Sequence, residues 1–518
     1  MKHKISRRKF LTILGVTGGV LVAGGVGSAA YIRSRFTPDR TPGPGEAGEI
    51  VTVAEGQLQG TVNDGIYRYL GVPYAEAKER FVPAEPVTPW EGVRNADSYG
   101  PMSPQGSMLG FGGGSQDGTD NNCQNLNLWT PGLNDGGLRP VMVWLHGGGF
   151  STGTANDSSY DGEALARSGD VVVVGVNHRL NLFGHFDLSA YDEKYKDSAN
   201  VGMWDILMAL EWIQKNIEVF GGDPDNVTVF GQSGGGAKVL ALMSTPYAQG
   251  LFHKGIVQSG VTETVGVSFT SQEASTRLTE IMLAELDIPA ANIGQVQTVA
   301  VDKLQSAANK ALDQTAQEFE IPAPLSSGYQ MEWEPVVDGD FLPTSPVTTD
   351  GFAEAGRDIP LLIGSNLNEW TGFYKTSTDG MDADALAAAV KETYPDKSDL
   401  TAENVDILIR LPLLKTMTHK ADQNGAPVYA YLMTYGNSSH GAEIPYIFRH
   451  SDSAAMNDLF SSIWVNFARN GAPGADGLPA WEPYTHTGGA TMLLDTPSTL
   501  VYHHDDALLK LLAPDYTY

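Results

Sequence analysis

The sequence predicts an α/β fold in which a large, mostly parallel sheet carries helices on both faces. Residues 227–230 form a β-rich apolar run, residues 231–235 read Gly-Gln-Ser-Gly-Gly, and a helical stretch follows from Ala237 to Met243. Elsewhere, short apolar runs alternate with stretches of helical periodicity. This alternation is typical of parallel strands that are joined by helical crossovers.

Further elements of this sheet follow from continuous apolar runs, which indicate strands that are covered on both faces. The strand candidates are residues 141–145, 171–176, 360–364 and 428–435. Residues 201–219 carry apolar side chains at helical spacing and predict a long amphipathic helix. Residues 262–325 are predicted to be mostly helical and to form a cap over the sheet.

Composition limits the function classes. The chain has 518 residues, of which 42% are hydrophobic, so a large core is possible. Lys and Arg total 33 against 61 Asp and Glu, which gives a formal net charge of -28. This balance argues against a nucleic-acid partner and an anionic membrane surface, because both require a basic footprint. The single cysteine, Cys123, excludes an intrachain disulfide and is expected to be a small buried hydrophobe.

The first 30 residues are expected to be a targeting segment. Residues 6–11, Ser-Arg-Arg-Lys-Phe-Leu, resemble the twin-arginine export motif. An uncharged, glycine-rich run over residues 11–32 follows and contains small-x-small cleavage sites. We therefore expect export across the bacterial inner membrane. The alternative is an uncleaved anchor, because an uncharged run of this length can span a bilayer.

The body that follows is expected to be one catalytic domain. Residues 31–49 form a Pro/Gly-rich linker, and residues 50–518 contain no second linker of that kind and no internal repeat. The membrane is a partner of this domain only through the N-terminal segment, if that segment remains uncleaved.

The Gly-x-Ser-x-Gly turn is typical of a nucleophile elbow because it joins a strand directly to a helix. Glycines allow the tight turn, which holds Ser233 in a strained conformation and aims the N–H of Gly234 beside its hydroxyl. A serine hydroxyl is a weak nucleophile and needs a base within hydrogen-bond reach. In α/β hydrolases the acid and then the histidine follow the serine along the chain.

Two loops that follow predicted strands supply these groups. Glu369 lies after the strand near residue 363, and His440 lies after the strand at 428–435. On position alone, Glu369 is more often a solvated surface charge, and a packing role is equally plausible for His440. His419 and His450 are the alternative bases, but both lie in stretches that are predicted to be helical.

An oxyanion hole is predicted immediately after the strand at 141–145, where residues 146–149 read His-Gly-Gly-Gly. Attack on an ester places negative charge on the carbonyl oxygen, and backbone N–H groups stabilise it only where no side chain blocks the approach. The pair His503-His504 beside two aspartates lacks the spacing of a metal site. We expect no metal and no other cofactor.

On these motifs the chain resembles the type-B carboxylesterase and cholinesterase family, which has the α/β-hydrolase fold, from about residue 50 to residue 484. Residues 220–235 are similar to the serine signature of the family, and residues 440–446 and 467–471 are similar to further blocks. The resemblance implies a catalytic triad and an oxyanion hole, which consist of Ser233, Glu369 and His440 and of Gly148, Gly149 and Gly234.

The resemblance also implies two supporting contacts, and the chain departs from the family at two positions. Arg179 and Asp205 occupy the positions of a structural ion pair, and Ser259 the position of a serine behind the acid. Gln232 stands where the family usually has Glu. The choline-binding tryptophan of the cholinesterases aligns near Gly113, where the chain has none. A cholinesterase activity is therefore disfavoured.

The expected function is hydrolysis of neutral esters with short-to-medium acyl groups through an acyl-enzyme, with a small-molecule ester as partner. One alternative is a non-catalytic binding relative, which would normally lack a residue of the triad. Another is a lipase for long-chain lipid esters, which needs an apolar acyl channel and a lid.

Overall fold

The computed structural model describes residues 42–105, 107–108, 111–112, 118–263, 269–323, 328–372 and 374–518. The predicted targeting segment and the position near Gly113 lie outside these residues. The first strand begins at Glu46, within the range assigned to the linker, because it pairs antiparallel with the strand that follows it.

The described strands are numbered in chain order. They are β1 (Glu46–Val53), β2 (Gly56–Asn63), β3 (Ile66–Pro73), β4 (Ala75–Glu76), β5 (Glu85–Pro86), β6 (Val93–Asn95), β7 (Ser107–Met108), β8 (Phe111–Gly112), β9 (Asn125–Thr130), β10 (Arg139–Leu145), β11 (Val172–Val176), β12 (Gly222–Gln232), β13 (Lys254–Gln258), β14 (Thr270–Ser271), β15 (Val336–Val337), β16 (Leu361–Asn366), β17 (Val428–Met433), β18 (Ala490–Leu494) and β19 (Thr499–Tyr502).

The described α-helices are numbered in the same way. They are α1 (Glu163–Gly169), α2 (Asn181–His185), α3 (Val201–Asn216), α4 (Gly234–Leu242), α5 (Gln272–Glu285), α6 (Val301–Glu318), α7 (Ala383–Thr393), α8 (Arg410–Asp422), α9 (Ile444–Ile447), α10 (Ala454–Asn470) and α11 (Asp506–Leu512). Short 3₁₀ helices lie between them, at Ser158–Tyr160, Glu193–Tyr195, Ser198–Asn200, Ile217–Phe220, Pro246–Ala248, Ala290–Thr298, Glu354–Gly356 and Ala402–Asn404. Within the described ranges, no helix is long and apolar enough to cross a bilayer.

One large sheet organises the molecule. Its described part has 13 strands, in the order β1-β2-β3-β9-β11-β10-β12-β13-β16-β17-β18-β19, with β6 beside β2. The strands from β11 to β18 run parallel, and antiparallel strands extend both margins. The predicted α/β fold with a mostly parallel sheet is confirmed.

The central strand candidates are all strands, but some boundaries differ. β12 begins at Gly222 because that residue pairs with Arg139 of β10, before a register shift. The helix after the elbow begins at Gly234, earlier than predicted, because three glycines of low helix propensity obscure its first turn. Helix α3 ends at Asn216 and continues as a 3₁₀ turn.

The core lies on both faces of the sheet. In β10, Val141, Val143 and Leu145 belong to one buried apolar cluster, whereas Met142 and Trp144 belong to another. The alternation follows from the two-residue period of a strand. It explains why the sequence of β10 is continuously apolar, since helices cover both faces of the sheet.

Helices α5 and α6 lie within the range that was predicted to be mostly helical. Their apolar faces, which include Leu278, Met282 and Leu304, form a third buried cluster together with Phe183 and Phe186 at the end of the adjacent α2 segment. Whether this unit closes over the sheet as a cap stays a prediction.

A buried ion pair links the segment after β11 to helix α3. The Arg179 guanidinium donates two hydrogen bonds to the Asp205 carboxylate, at 2.8 Å and 2.7 Å, and both side chains are fully buried. The backbone N–H of Arg179 also donates to Asp205, at 3.0 Å. This bidentate pair joins the two residues that the family resemblance singles out.

Asp205→Ala should lower the free energy of unfolding by about 3–5 kcal/mol, because it leaves the guanidinium buried without its counterion. Urea denaturation checks the value. The matched control is Glu318→Gln, which breaks the solvent-exposed pair with Arg277 and should leave the midpoint unchanged. An Asp205→Ala midpoint equal to that of the wild type would contradict this account.

Candidate active site

Ser233 lies at the junction of β12 and α4. Its backbone has φ 58° and ψ -125°, a conformation that non-glycine residues rarely adopt. Its N–H donates to the carbonyl oxygen of Gln258 at 2.8 Å, which extends the parallel pairing of β12 and β13 by one residue. The strained turn predicted from the Gly-x-Ser-x-Gly motif is present, and Ser233 is only partly buried.

Close backbone contacts leave no space for a side chain at the two residues after Ser233. A Cβ atom on Gly235 would lie 1.9 Å from the carbonyl oxygen of Leu145, and one on Gly234 would lie 2.3 Å from that of Gly149. These are backbone neighbours that cannot give way. The glycines after Ser233 are therefore required by the approach of the loop after β10.

That loop contains the predicted oxyanion glycines. Gly148 and Gly149 have φ values of 91° and 60°, in the left-handed region that favours glycine. The Gly148 carbonyl oxygen accepts hydrogen bonds from the N–H groups of Ser151 and Thr152. In the described part of the chain, no hydrogen bond uses the N–H groups of Gly148, Gly149 or Gly234, so these donors remain available to a ligand.

Glu369 and His440 form a direct contact. A carboxylate oxygen of Glu369 lies 2.5 Å from His440 Nδ1, and the backbone N–H of His440 donates to the Glu369 carbonyl oxygen at 2.9 Å. Because an ionised carboxylate only accepts hydrogen bonds, it fixes the proton of the neutral ring on Nδ1 and leaves a lone pair on Nε2. Glu369 is buried, and the His440 side chain is 15% exposed.

The second oxygen of Glu369 is held from behind. It accepts a hydrogen bond from the Ser259 hydroxyl at 2.6 Å and one from the N–H of Asn366 at 2.7 Å. Ser259 follows β13 and, like Ser233, has a positive φ, 52°. The predicted serine behind the acid therefore contacts Glu369.

The Nε2 edge of the His440 ring contacts Gln232. The side-chain amide nitrogen of Gln232 lies 3.1 Å from His440 Nε2, so the amide donates to the lone pair. Among the described contacts, Nε2 is engaged by this amide rather than by the hydroxyl of Ser233. Catalytic hydrogen bonds are often loose without substrate and tighten in the complex. Trp370, next to Glu369, stacks on the imidazole with ring centroids 4.4 Å apart.

Sequence reasoning missed a buried polar group behind the acid. The Asn366 side chain donates to Glu443 at 2.7 Å, and Gln258 donates to the same carboxylate at 3.0 Å. Burial, with a smaller contribution from the charge of Glu369, raises the pKa of Glu443. The sequence could have indicated Glu443, because it lies in the family block at 440–446, whereas no motif indicated Asn366.

Asp406 is a further missed acid near the site. Burial and then the charge of Glu369 raise the pKa of Asp406 to about 7, although its carboxylate accepts hydrogen bonds from the N–H groups of Ile409 and Arg410. Asp406 lies near Glu369 only because the fold brings them together, since no sequence motif connects the two residues.

The alternative histidines lie elsewhere. His419 is on α8, as predicted, but His450 lies in the segment between α9 and α10, so its helical prediction is wrong. The turn at residues 448–450 follows a helix of one turn only. Neither ring contacts Glu369. His504 lies beside Asp505, which pairs with Arg410, and the described residues contain no cluster of three or more side chains suited to a metal.

The sequence profile of the carboxylesterase family matches residues 47–405 and 391–508. This chain belongs to the carboxylesterase family. Among its relatives, the para-nitrobenzyl esterase of Bacillus subtilis is 32% identical over 490 residues, which cover 87% of this carboxylesterase and 96% of that protein. The phenmedipham hydrolase of Pseudarthrobacter oxydans is 30% identical and covers 90% of this chain and 98% of its own length.

Solved structures agree with this assignment. An esterase from Clostridium hathewayi that can hydrolyze aliphatic aromatic polyesters superimposes with a TM-score of 0.79 at 33% identity, covering 93% of this carboxylesterase and 99% of that chain. A PNB esterase gives a TM-score of 0.73 at 31% identity, covering 90% and 99%. This carboxylesterase has the α/β-hydrolase fold and is a serine hydrolase of carboxylic esters. A non-catalytic binding role and a lipase role are not favoured.

Proposed function

We propose that Ser233 is the nucleophile, His440 the general base and Glu369 the acid that orients it. The observation that carries this proposal is the 2.5 Å contact between Glu369 and His440 Nδ1, which leaves Nε2 as the basic atom. Gln232 contacts this atom and directly precedes Ser233 in the elbow. The proton acceptor and the hydroxyl therefore belong to neighbouring parts of one site.

In the proposed reaction, Ser233 Oγ forms a bond to the ester carbonyl carbon while His440 Nε2 takes the hydroxyl proton. The tetrahedral intermediate then expels the alcohol oxygen, which receives that proton from the imidazolium. Water attacks the acyl-enzyme in the same way, with His440 again taking and returning one proton. The carboxylic acid leaves, and the serine is regenerated.

The N–H groups of Gly148, Gly149 and Gly234 are the proposed donors to the oxyanion. They lie on two segments that are in backbone contact, and no hydrogen bond from another described residue engages them. Donors positioned before the reaction require no reorganisation as charge develops, and removing one such donor in a serine hydrolase costs about 10²–10³ in kcat.

Gln232 must give up its contact with His440 when the Ser233 hydroxyl engages Nε2. Because the amide is neutral, this exchange moves a dipole and no net charge. A glutamate at this position would place a second carboxylate beside the imidazole.

Ser233→Ala should lower kcat by about 10⁴-fold or more, because the acyl-enzyme cannot form. The variant should remain folded, since the turn geometry is a property of the backbone and its glycines. Hydrolysis of 4-nitrophenyl butyrate measures the effect. A fluorophosphonate probe followed by peptide mass spectrometry should label Ser233 in the wild type only. Near-normal turnover by the variant would refute the assignment.

The proposed substrates are neutral esters with short-to-medium acyl groups. The neutral amide of Gln232 stands where the family usually has a carboxylate, and no tryptophan lies near Gly113. A cationic substrate therefore lacks the carboxylate and the aromatic face that these two positions would provide. The relatives, named for para-nitrobenzyl esters, phenmedipham and polyesters, support a neutral substrate.

Butyrylcholine should be a poorer substrate than neutral butyl butyrate by about one to three decades in kcat/KM. Each missing cation contact is worth about 0.5–2 kcal/mol. The net charge of -28 attracts cations, but physiological salt screens this long-range effect. Steady-state kinetics at 0.15 M salt decide the comparison. Equal turnover of the choline ester would show that another cation site exists.

The N-terminal segment carries a separate proposal, which is export across the bacterial inner membrane. The basis is the Ser-Arg-Arg-Lys-Phe-Leu sequence at residues 6–11. Arg7→Lys together with Arg8→Lys should retain the precursor in the cytoplasm, because a receptor reads the arginine pair and not simply its charge. Cell fractionation with immunoblotting measures this. The control, Arg33→Lys, should be exported normally, and normal export of the double variant would contradict the proposal.

A further inference from the structure

A lysine is buried directly beneath the proposed oxyanion loop. Lys238 lies on α4, the helix that begins after Ser233, and its side chain has no exposed surface. Its ammonium donates to the carbonyl oxygen of Gly149 at 2.7 Å and to that of His146 at 3.1 Å. These two carbonyls flank the glycine run that contains the proposed oxyanion donors.

This ammonium has no countercharge among the described residues. No described carboxylate pairs with it, and burial alone lowers the pKa of Lys238 to about 7. Its remaining close contact is with the Phe150 ring, whose centroid lies 5.2 Å from Nζ. The cation is therefore stabilised by two carbonyl dipoles and the face of one aromatic ring.

The titratable groups around Lys238 are three histidines, one from each neighbouring segment. They are His146 on the loop after β10, His178 on the loop after β11 and His185 at the end of α2. Burial, the largest cause, and the charge of Lys238 lower the pKa of all three, to about 3 for His146 and His185. They are neutral near pH 7 and do not compensate the cation.

Burying an uncompensated cation is unfavourable for folding, because desolvation exceeds what neutral dipoles return. An apolar side chain of similar length would remove that desolvation cost, but it would leave the carbonyl oxygens of His146 and Gly149 without this donor. Departures of this kind from the rules of stability concentrate at functional sites. Lys238 extends from α4 to the carbonyl oxygens of the glycine loop, and this position indicates which function it serves.

We propose that Lys238 is a positioning residue of the oxyanion hole, which holds both ends of the Gly147–Gly149 run and adds positive charge behind it. The inference rests on the roles proposed above for Ser233 and for Gly149. In a site of low dielectric, a fixed positive charge favours the tetrahedral oxyanion over the neutral ester, so it acts on the transition state more than on substrate binding.

The proposal has a pH signature. Lysine is charged below its pKa and neutral above it, so the positive charge is present at acidic pH and is lost as the pH rises through about 7. With a neutral ester, wild-type kcat/KM should therefore decline on the alkaline side. The neighbouring histidines are already neutral in this range and should add no inflection there.

The test variant is Lys238→Met, which keeps the length of the side chain but removes the charge and the donors. Kinetics on 4-nitrophenyl butyrate should show kcat/KM lower by about 10²-fold, the effect of losing one oxyanion donor. The loss should be mainly in kcat, and a trifluoromethyl ketone that mimics the tetrahedral intermediate should bind correspondingly more weakly. The alkaline decline should be absent, and the far-UV circular dichroism spectrum should equal that of the wild type, which shows that the variant is folded.

Two further variants separate charge from structure. Lys238→Gln keeps a hydrogen-bond donor without charge, so it should also lack the alkaline decline but lose less in kcat than Lys238→Met. Lys420→Met is the matched control, because Lys420 is likewise buried on a helix and donates to two backbone carbonyl oxygens, those of Arg357 and Ala426. Its kcat/KM and pH profile should equal those of the wild type.

Several outcomes would overturn the inference. They are wild-type kcat/KM in Lys238→Met and an alkaline decline that persists in both Lys238 variants. If Lys238→Met does not fold, Lys238→Gln decides, because wild-type kcat/KM or a persisting alkaline decline in that variant also overturns the inference. The two proposals fail separately. If Ser233→Ala is inactive and Ser233 is labelled while Lys238→Met is normal, only the role of Lys238 is wrong. If Ser233→Ala is active, the site itself is wrong.

Discussion

The arrangement of the site depends on one backbone contact, between the loop after β10 and the start of helix α4. Gly149 lies against Gly234, and Leu145 against Gly235, at distances that leave no space for a Cβ atom. This contact brings the candidate oxyanion donors beside Ser233. It also places the carbonyl oxygens that Lys238 binds within reach of α4. Any side chain larger than hydrogen at this contact would move the glycine loop away from both Ser233 and Lys238.

The arrangement of the site also depends on the parallel sheet. β12, β13, β16 and β17 are adjacent in that order, and the segments that follow them carry Ser233, Ser259, Glu369 and His440. The carboxyl ends of parallel strands meet at one edge of the sheet. Residues far apart in the chain therefore meet without a dedicated scaffold, and short hydrogen bonds from Ser259 and Asn366 then hold the acid in place.

The electrostatics of the site are divided between its two sides. Glu369, Glu443 and Asp406 are buried carboxyl groups on the side of the imidazole, and burial, followed by the charge of Glu369, raises the pKa of Glu443 and of Asp406. Behind the glycine loop lies the buried ammonium of Lys238. An imidazolium and an oxyanion, which form together in ester hydrolysis, would each find opposite charge on its own side.

The sequence by itself determined the central strands, the elbow, the glycine loop and the candidates Glu369 and His440, because continuous apolar runs and glycine-bounded turns are local signals. It did not reveal the antiparallel margins of the sheet, whose strands alternate or are short. Only the tertiary structure decided that Gln232 contacts His440, that Asp406 lies near Glu369 and that Lys238 has no counterion among the residues that the structure describes. Burial and charge pairing depend on which residues are neighbours in three dimensions. The sequence of a helix therefore does not show which of its polar residues will be buried.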